Sequence, residues 1–294
     1  MQIQAPRVVR STWHGAGAAG LAVVFWALVP LLVEQAGELP PLRLSALALL
    51  AGALGTLPMA RRRRHRDTTL TGAQRLAIYL GIPLLMAGAV GASFAAFTRA
   101  PTAEAALILY TWPVLFLLAS RRLALGRLPI TTLAGGLLAF AGAALLVAPQ
   151  ALAGGVSGAW GGYLLALAAA LCWALYSLAS QVPAWRLATR MPHLLLIAST
   201  VVGGASLALE GVSALPSAAT LQVAAALGLG PYGLAMLAWS RAMHDPQAHR
   251  LGNLAHAVPV LATLFLVLAG IAVPDWRLPL AALLVAAGSI TASR

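Results

Sequence analysis

Ten apolar runs, most of them about as long as a membrane span, constrain this chain more than any other feature of its sequence. A helix needs about 20 mostly apolar residues to cross the hydrocarbon core of a bilayer. Of the 294 residues, 61% are hydrophobic and only 9% are charged, whereas about 25% of a typical soluble domain is charged. We therefore predict an all-α polytopic membrane protein with ten transmembrane helices. The runs, numbered 1 to 10 in chain order, are residues 15–33, 41–59, 75–97, 102–120, 128–147, 159–181, 192–209, 220–243, 251–271 and 277–291.

The segments between the runs carry positive charge in an uneven pattern. All nineteen basic residues are arginine. If the amino terminus is cytoplasmic, sixteen of them fall on the cytoplasmic side, and only Arg43, Arg99 and Arg277 fall outside. Because arginine collects in cytoplasmic loops, this distribution predicts an even number of runs with both termini in the cytoplasm. It also explains the net charge of +12 without nucleic acid as a partner, because the arginines lie between the apolar runs, where cytoplasmic loops carry them. The expected surroundings of the runs are membrane lipid.

The two halves of the chain repeat the same landmarks at nearly one offset. Trp26 and Trp173 open matching Trp-Ala-Leu triplets 147 residues apart. Three further pairs keep the same order at offsets of 148, 146 and 146 residues: Pro83 and Pro231, Pro113 and Pro259, Gly142 and Gly288.

This repeat divides the chain into two units. We predict a first five-helix repeat over residues 1–149, a Gly-rich linker over 150–158 and a second five-helix repeat over 159–294. Because each repeat has an odd number of runs, the second is inverted relative to the first. Inverted repeats are typical of secondary transporters, which place the substrate site near the midplane between the repeats.

Polar and aromatic side chains inside the runs are the candidates for this site, because burying polar groups in lipid is costly. Two interpretations remain open for them: they line a substrate cavity, or neighbouring helices satisfy them. Tyr110 and His256 each precede a proline by three residues and would face each other across the axis of the repeat. Trp239, at the end of run 8 beside Arg241, is expected at the membrane interface instead. The candidates are Tyr110, Trp112, Trp173, Tyr176, Asn253 and His256.

Four prolines inside runs are predicted to kink or hinge the helices, because proline removes a backbone hydrogen bond. They are Pro83, Pro113, Pro231 and Pro259. At Pro113 and Pro259 the carbonyls of Leu109 and Ala255 lose their usual donor, which would leave them to a polar ligand or water. A purely structural kink is the alternative.

The sequence contains none of the catalytic or metal-binding motifs that we sought, including paired carboxylates within a run. We therefore expect no enzyme, no cofactor and no metal. Glu104 is the carboxylate nearest to a run interior, at the outer end of run 4. It predicts either a proton-coupling group or a contact with the helix amino terminus.

At these residues the sequence resembles the drug/metabolite transporter superfamily. The Tyr110-Thr-Trp-Pro113 and Trp173-Ala-Leu-Tyr176 motifs are similar to those of its bacterial inner-membrane exporters of aromatic amino acids. The resemblance implies a helical basket with a central cavity, alternating access and transport roles for Tyr110, Trp112 and Trp173. The chain departs from those exporters at Met86 in run 3 and at His256, where they carry tyrosines.

From the residues and the resemblance together, we expect an exporter of aromatic and other neutral amino acids. A carrier of drugs or other small metabolites in the same superfamily is the alternative. A membrane-embedded enzyme or a scaffold subunit is the rival from another class, although a scaffold has no need of the repeat. A monomer is compatible with the sequence.

Overall fold

The computed structural model describes residues 11–36, 39–61, 70–100, 102–153, 159–212, 215–245, 248–271, 273–274 and 276–293. Within these ranges all regular structure is helical. Six helices are long and apolar enough to cross a membrane, and they correspond to runs 1, 2, 3, 6, 7 and 8. Their apolar stretches are Gly15–Val33, Pro41–Pro58, Gly72–Phe97, Trp160–Ala179, Leu187–Leu209 and Ala218–Ala242. The prediction of an all-helical polytopic membrane protein is thereby confirmed.

The other four runs are also helical, and two of them are interrupted. Run 4 forms two helices, Thr102–Leu109 and Trp112–Leu125. Run 5 forms Ile130–Ala153, and run 10 forms Arg277–Ser293. Run 9 consists of a short helix, a 3-10 segment and a second helix, which span Ala248–Leu251, Gly252–Ala257 and Val258–Leu268.

Each of the four predicted hinge prolines lies at or beside a change in helical geometry. Run 3 has a π-helical turn, Ala77–Gly81, just before the helix that contains Pro83, and run 8 has one over Gly228–Leu234 that contains Pro231. In runs 4 and 9, Pro113 and Pro259 lie in the first turn of a new helix. A proline fits the first turn because the amide groups there have no acceptor within the helix.

Two details differ from the sequence predictions. The helix of run 5 continues to Ala153, so residues 150–153 of the predicted linker are helical. These residues are Gln, Ala, Leu and Ala, all good helix formers, and the first glycines of the linker come after them. In run 9, the carbonyl of Ala255 accepts a hydrogen bond from the backbone N–H of Val258, so it is not left to a ligand.

Close backbone contacts hold the helices together in pairs. Run 5 packs along run 10, run 2 along run 7, run 3 along run 6 and run 1 along run 8. The Cα atoms of Gly135 and Gly288 each lie against the backbone of the opposite helix. Gly52 of run 2 meets Gly228 and Gly233 of run 8 in the same manner. Small residues at such crossings are the usual device for packing helices in lipid, where burying apolar surface gives little advantage.

Glu210, at the end of run 7, holds the beginning of run 2. Its carboxylate oxygens accept hydrogen bonds from the backbone N–H groups of Leu42 and Arg43, at 2.8 and 3.1 Å, and from the hydroxyl of Ser206 at 2.7 Å. The guanidinium of Arg43 donates to the carbonyl of Gly211 at 2.7 Å. The first amide groups of a helix lack partners within it, so Glu210 supplies the acceptors from another helix.

Replacing Glu210 with alanine is therefore expected to destabilise the protein by about 1–3 kcal/mol, because two partly buried amide groups lose a charged acceptor. The midpoint of thermal unfolding of the detergent-solubilised protein measures the change. Ser206→Ala is the matched control, since it removes one bond to Glu210 and leaves both amide contacts in place. Equal losses in the two variants would contradict the capping role.

Candidate functional site

Four tryptophans from four different runs meet in the interior and form what we call the tryptophan cluster. Its members are Trp26, Trp112, Trp173 and Trp239, all buried. Trp26 lies 5.9 Å from Trp112, 5.3 Å from Trp173 and 5.2 Å from Trp239, measured between ring centroids. Trp112 lies 6.1 Å from Trp173 and 5.9 Å from Trp239. Several pairs meet edge to face, an arrangement that aromatic rings favour.

The indole N–H groups of the cluster fall into two classes. Trp26 donates its Nε1–H to the carbonyl of Pro231 at 3.0 Å, and Trp239 donates to the hydroxyl of Ser177 at 3.0 Å. Neither Trp112 nor Trp173 donates such a bond to any residue that the structure describes. Two members are thus anchored by their ring nitrogens, whereas Trp112 and Trp173 have a donor available.

The cluster corrects one prediction and adds two residues to the site. The prediction that Trp239 lies at the membrane interface is wrong: the residue is fully buried, and its ring centroid lies 6.1 Å from that of Phe116. Its place near a run end suggested the interface, but the helix end itself is covered by neighbouring helices. Trp26 was recognised only as a landmark of the repeat. Its offset of 147 from Trp173 was a signal that the two could meet at the axis.

Tyr176 packs against Trp173, a member of the tryptophan cluster. Its ring lies 6.2 Å from Trp173, and it is fully buried. Its hydroxyl lies 2.8 Å from the hydroxyl of Ser240 and donates to the carbonyl of Met236 at 3.2 Å. These contacts join run 6 to run 8 and position the Trp173 side of the cluster.

Run 9 carries two buried hydrogen-bond acceptors. His256 Nδ1 lies 3.1 Å from the carbonyl oxygen of Asn253, so Nδ1 carries the proton and Nε2 is an acceptor in the neutral ring. Asn253 donates its amide to the carbonyl of Ser289 at 3.2 Å, which leaves Oδ1 as an acceptor. Among the described residues, neither His256 Nε2 nor Asn253 Oδ1 has a hydrogen-bond partner, and both are buried. Buried polar atoms without partners are rare and call for an explanation.

A close contact joins the 3-10 segment that carries these acceptors, through Phe116, to the tryptophan cluster. Gly252, the first residue of the 3-10 segment, lies directly against the ring of Phe116, and Phe116 packs on Trp239. A side chain at position 252 would collide with that ring. The glycine therefore allows the 3-10 segment to approach the aromatic side chains.

The remaining candidate residues have no described contact with the tryptophan cluster. Tyr110 is half-buried at the interruption of run 4 and packs against the same apolar core. Met86, at the departure in run 3, is fully buried in that core. The side chain of Glu104 lies outside the described residues, and its proposed roles stay predictions. The arrangement of Tyr110 opposite His256 also stays a prediction.

Comparison with known proteins gives a consistent family. The profile of the EamA-like transporter family matches residues 13–148. The aromatic amino acid exporter YddG of Ancylobacter novellus is 32% identical over 297 aligned residues, which cover 92% of this chain and 94% of the relative. One crystal structure superposes with a TM-score of 0.83 at 28% identity, over 96% of this chain and 98% of the other. This protein therefore belongs to the EamA-like transporters of the drug/metabolite transporter superfamily, and it is a multi-pass membrane transporter.

Proposed function

We propose that this protein exports aromatic and other neutral amino acids across the bacterial inner membrane by alternating access. The observation that carries the proposal is the tryptophan cluster, because it gathers rings from runs 1, 4, 6 and 8 at one place inside the bundle. Aromatic rings prefer edge-to-face and offset contacts with one another. A cluster of indoles is thus suited to an aromatic or other bulky apolar side chain. The name of the relative from Ancylobacter novellus agrees with this substrate class.

The polar atoms of the cluster and of the run 9 segment that contacts Phe116 match the two charged groups of an amino acid. Asn253 Oδ1 and His256 Nε2 are acceptors without partners among the described residues, and an ammonium group is a donor with three hydrogens. The indole N–H groups of Trp112 and Trp173 are donors that suit a carboxylate. Tyr110 offers a further hydroxyl from the interruption of run 4. Tyr176 acts through Trp173, since its own hydroxyl is already engaged.

A substrate can reach these groups only if the bundle rearranges. The tryptophan rings lie in contact with one another, and both run 9 acceptors are buried. Opening then requires runs 4 and 9 to move against runs 1, 6 and 8. The interruptions at Pro113 and Pro259, and the π-helical turns at Pro83 and Pro231, are the points where the helices can bend.

The proposed architecture is two inverted five-helix repeats. The observed helix packing is unchanged when each run is replaced by the run five places away. The pair of runs 3 and 6 then becomes the pair of runs 8 and 1, and the pairs 5 and 10 and 2 and 7 stay the same. Runs 3 and 8 also each carry a π-helical turn close to the paired prolines Pro83 and Pro231. Arg43 and Arg190, near the starts of runs 2 and 7, form a further pair 147 residues apart. Together with the arginine distribution, this supports the proposal that both termini are cytoplasmic.

Transport of amino acids by the purified protein in proteoliposomes tests the proposal. Vesicles loaded with unlabelled phenylalanine are expected to accumulate labelled phenylalanine by exchange, with a rate that saturates. Excess tryptophan, tyrosine, methionine or threonine should compete, and protein-free vesicles provide the baseline. If none of these amino acids shows saturable flux, the proposal is wrong.

A carrier of drugs or other metabolites remains the second candidate within the family. It predicts that lipophilic compounds, rather than amino acids, compete for the labelled substrate. The same vesicles distinguish the two, because an excess of ethidium or of a nucleotide sugar should leave phenylalanine exchange unchanged if the protein is an amino-acid exporter.

A further inference from the structure

A polar cavity lies beyond the tryptophan cluster, at the ends of runs 4, 6 and 8 and the start of run 9. Its volume is about 360 Å³, large enough for one amino acid. By the arginine distribution these ends face the cytoplasm, the side from which an exporter takes its substrate. The lining residues are Ser120, Ala124, Gln181, Pro183, Met243, His244, Asp245 and Ala248.

Two polar pairs shape the wall of this cavity. Ser120 and Gln181 exchange hydrogen bonds between runs 4 and 6, with Ser120 Oγ donating to Gln181 Oε1 at 3.1 Å and Gln181 Nε2 donating to Ser120 Oγ at 2.9 Å. The hydroxyl of Ser120 and the amide of Gln181 can also donate hydrogen bonds to a ligand and accept them from it. His244 lies outside the predicted runs and forms a hydrogen bond with the backbone of Val182. Burial lowers its pKa from the ordinary value, so the ring is neutral at cytoplasmic pH.

Asp245 gives the cavity its charge. It is only 8% exposed, and it is the one residue with a formal charge among the described residues of the lining. Asp245 already takes part in another polar interaction, but a carboxylate has about four lone-pair sites and can accept from several donors.

The cavity and the tryptophan cluster are stacked along the same helices. Met243 follows Trp239 by four residues and Ser120 follows Phe116 by four, which is about 6 Å of helix. Gln181 follows Tyr176 by five residues at the end of run 6. A ligand in the cavity is thus about one helical turn from the aromatic rings.

We infer that this cavity is a loading subsite, in which Asp245 binds the ammonium group of a cytoplasmic amino acid before the tryptophan cluster opens. The inference rests on the proposed function and adds a site on the cytoplasmic side to it. With one carboxylate, a neutral histidine and neutral amide and hydroxyl groups, the lining selects an ammonium rather than a free carboxylate. Ser120 and Gln181 then face the polar remainder of the ligand.

The first test compares transport from the two faces of the protein in vesicles of known orientation. Asp245→Asn is expected to raise the KM for phenylalanine at the cytoplasmic face about 10-fold or more, as for a lost hydrogen bond between charged groups. The KM at the outer face should stay unchanged. Phenethylamine, which has the ring and the ammonium, should inhibit from the cytoplasmic face of the wild type, whereas 3-phenylpropionate should not. An unchanged cytoplasmic KM in Asp245→Asn would overturn the inference.

A labelling experiment gives a second measurement that does not need the Asp245 variant. The single cysteine is first removed by Cys172→Ser, and Ala124→Cys then places a thiol in the cavity wall. Phenethylamine is expected to slow its reaction with N-ethylmaleimide several-fold. Leu123→Cys is the control, because Leu123 is 75% exposed and lies outside the lining.

The outcomes separate the two proposals. Saturable phenylalanine exchange without protection of the residue 124 thiol, and without a change of KM in Asp245→Asn, would retain the exporter and refute the loading subsite. Protection of the thiol without any amino-acid flux would support an amine-binding cavity and refute the exporter.

Discussion

Replacing Trp112 with alanine is expected to lower phenylalanine export by at least about 100-fold. The change removes a ring that contacts three other members of the tryptophan cluster and supplies one of its two available indole donors. A tryptophan buries roughly 150–250 Å², and at about 25 cal/mol per Å² a substrate contact with about 110 Å² of that surface supplies the 2.7 kcal/mol that corresponds to 100-fold. The initial rate of exchange in proteoliposomes, normalised to the amount of folded protein, measures the effect.

Two variants distinguish loss of recognition from loss of folding. Trp160→Ala is the matched control, because Trp160 is 68% exposed and touches Tyr163 rather than the cluster; its transport should stay near the wild-type level. Trp112→Phe keeps an aromatic ring without the N–H and is expected to retain part of the activity. If Trp112→Ala elutes as a folded monodisperse species and transports normally, the cluster has no part in substrate binding.

The second large effect concerns stability. Gly288→Ala is expected to lower the thermal midpoint by about 5 °C or more, since overpacking costs about 1–3 kcal/mol and each kcal/mol is about 2–4 °C in a protein of roughly this size. The added Cβ would lie 2.6 Å from the carbonyl oxygen of Gly135 and 2.8 Å from Ala139 Cβ. A backbone atom cannot rotate aside, so runs 5 and 10 must separate. The midpoint is measured by heating samples to a series of temperatures and then determining the fraction of folded protein by size-exclusion chromatography.

Gly204→Ala controls for the change in helix propensity. Gly204 lies inside the helix Leu187–Leu209, and a Cβ added there meets nothing within 4 Å. Because alanine is about 1 kcal/mol better than glycine in a helix interior, this variant should be neutral or slightly more stable. Equal destabilisation by both substitutions would show that the contact between Gly135 and Gly288 does not govern the stability.

Part of the candidate site could be predicted from the sequence. Trp112 and Trp173 were selected because large aromatic rings in mid-run are unusual, and they do lie together. Asn253 and His256 were selected because polar groups in an apolar run need a partner, and each retains a buried atom without one among the described residues. In these cases the cost of the residue in lipid was itself the signal.

Trp239 shows where that reasoning fails. At the repeat offset of 148, its counterpart in the first half is Gly91, so the repeat offers no hint that position 239 is central. Position within a run indicates depth in the membrane, but it does not indicate which neighbour covers the side chain. Asp245 is a similar case: it follows run 8 like any loop carboxylate, yet it lines a cavity formed by segments up to 128 residues apart in the chain.

The sequence alone determined the membrane class, the helical runs, the proline interruptions and the family, because each depends on local composition or on a short motif. The length of an apolar run and its need to satisfy its own backbone hydrogen bonds are properties of one segment, so they can be predicted from the sequence of that segment. The tertiary structure alone decided which rings form the tryptophan cluster, which polar atoms are left unpaired and where a carboxylate borders a cavity. Those properties depend on contacts between distant segments, and in lipid small residues and individual hydrogen bonds, rather than an overall hydrophobic pattern, select the contacts.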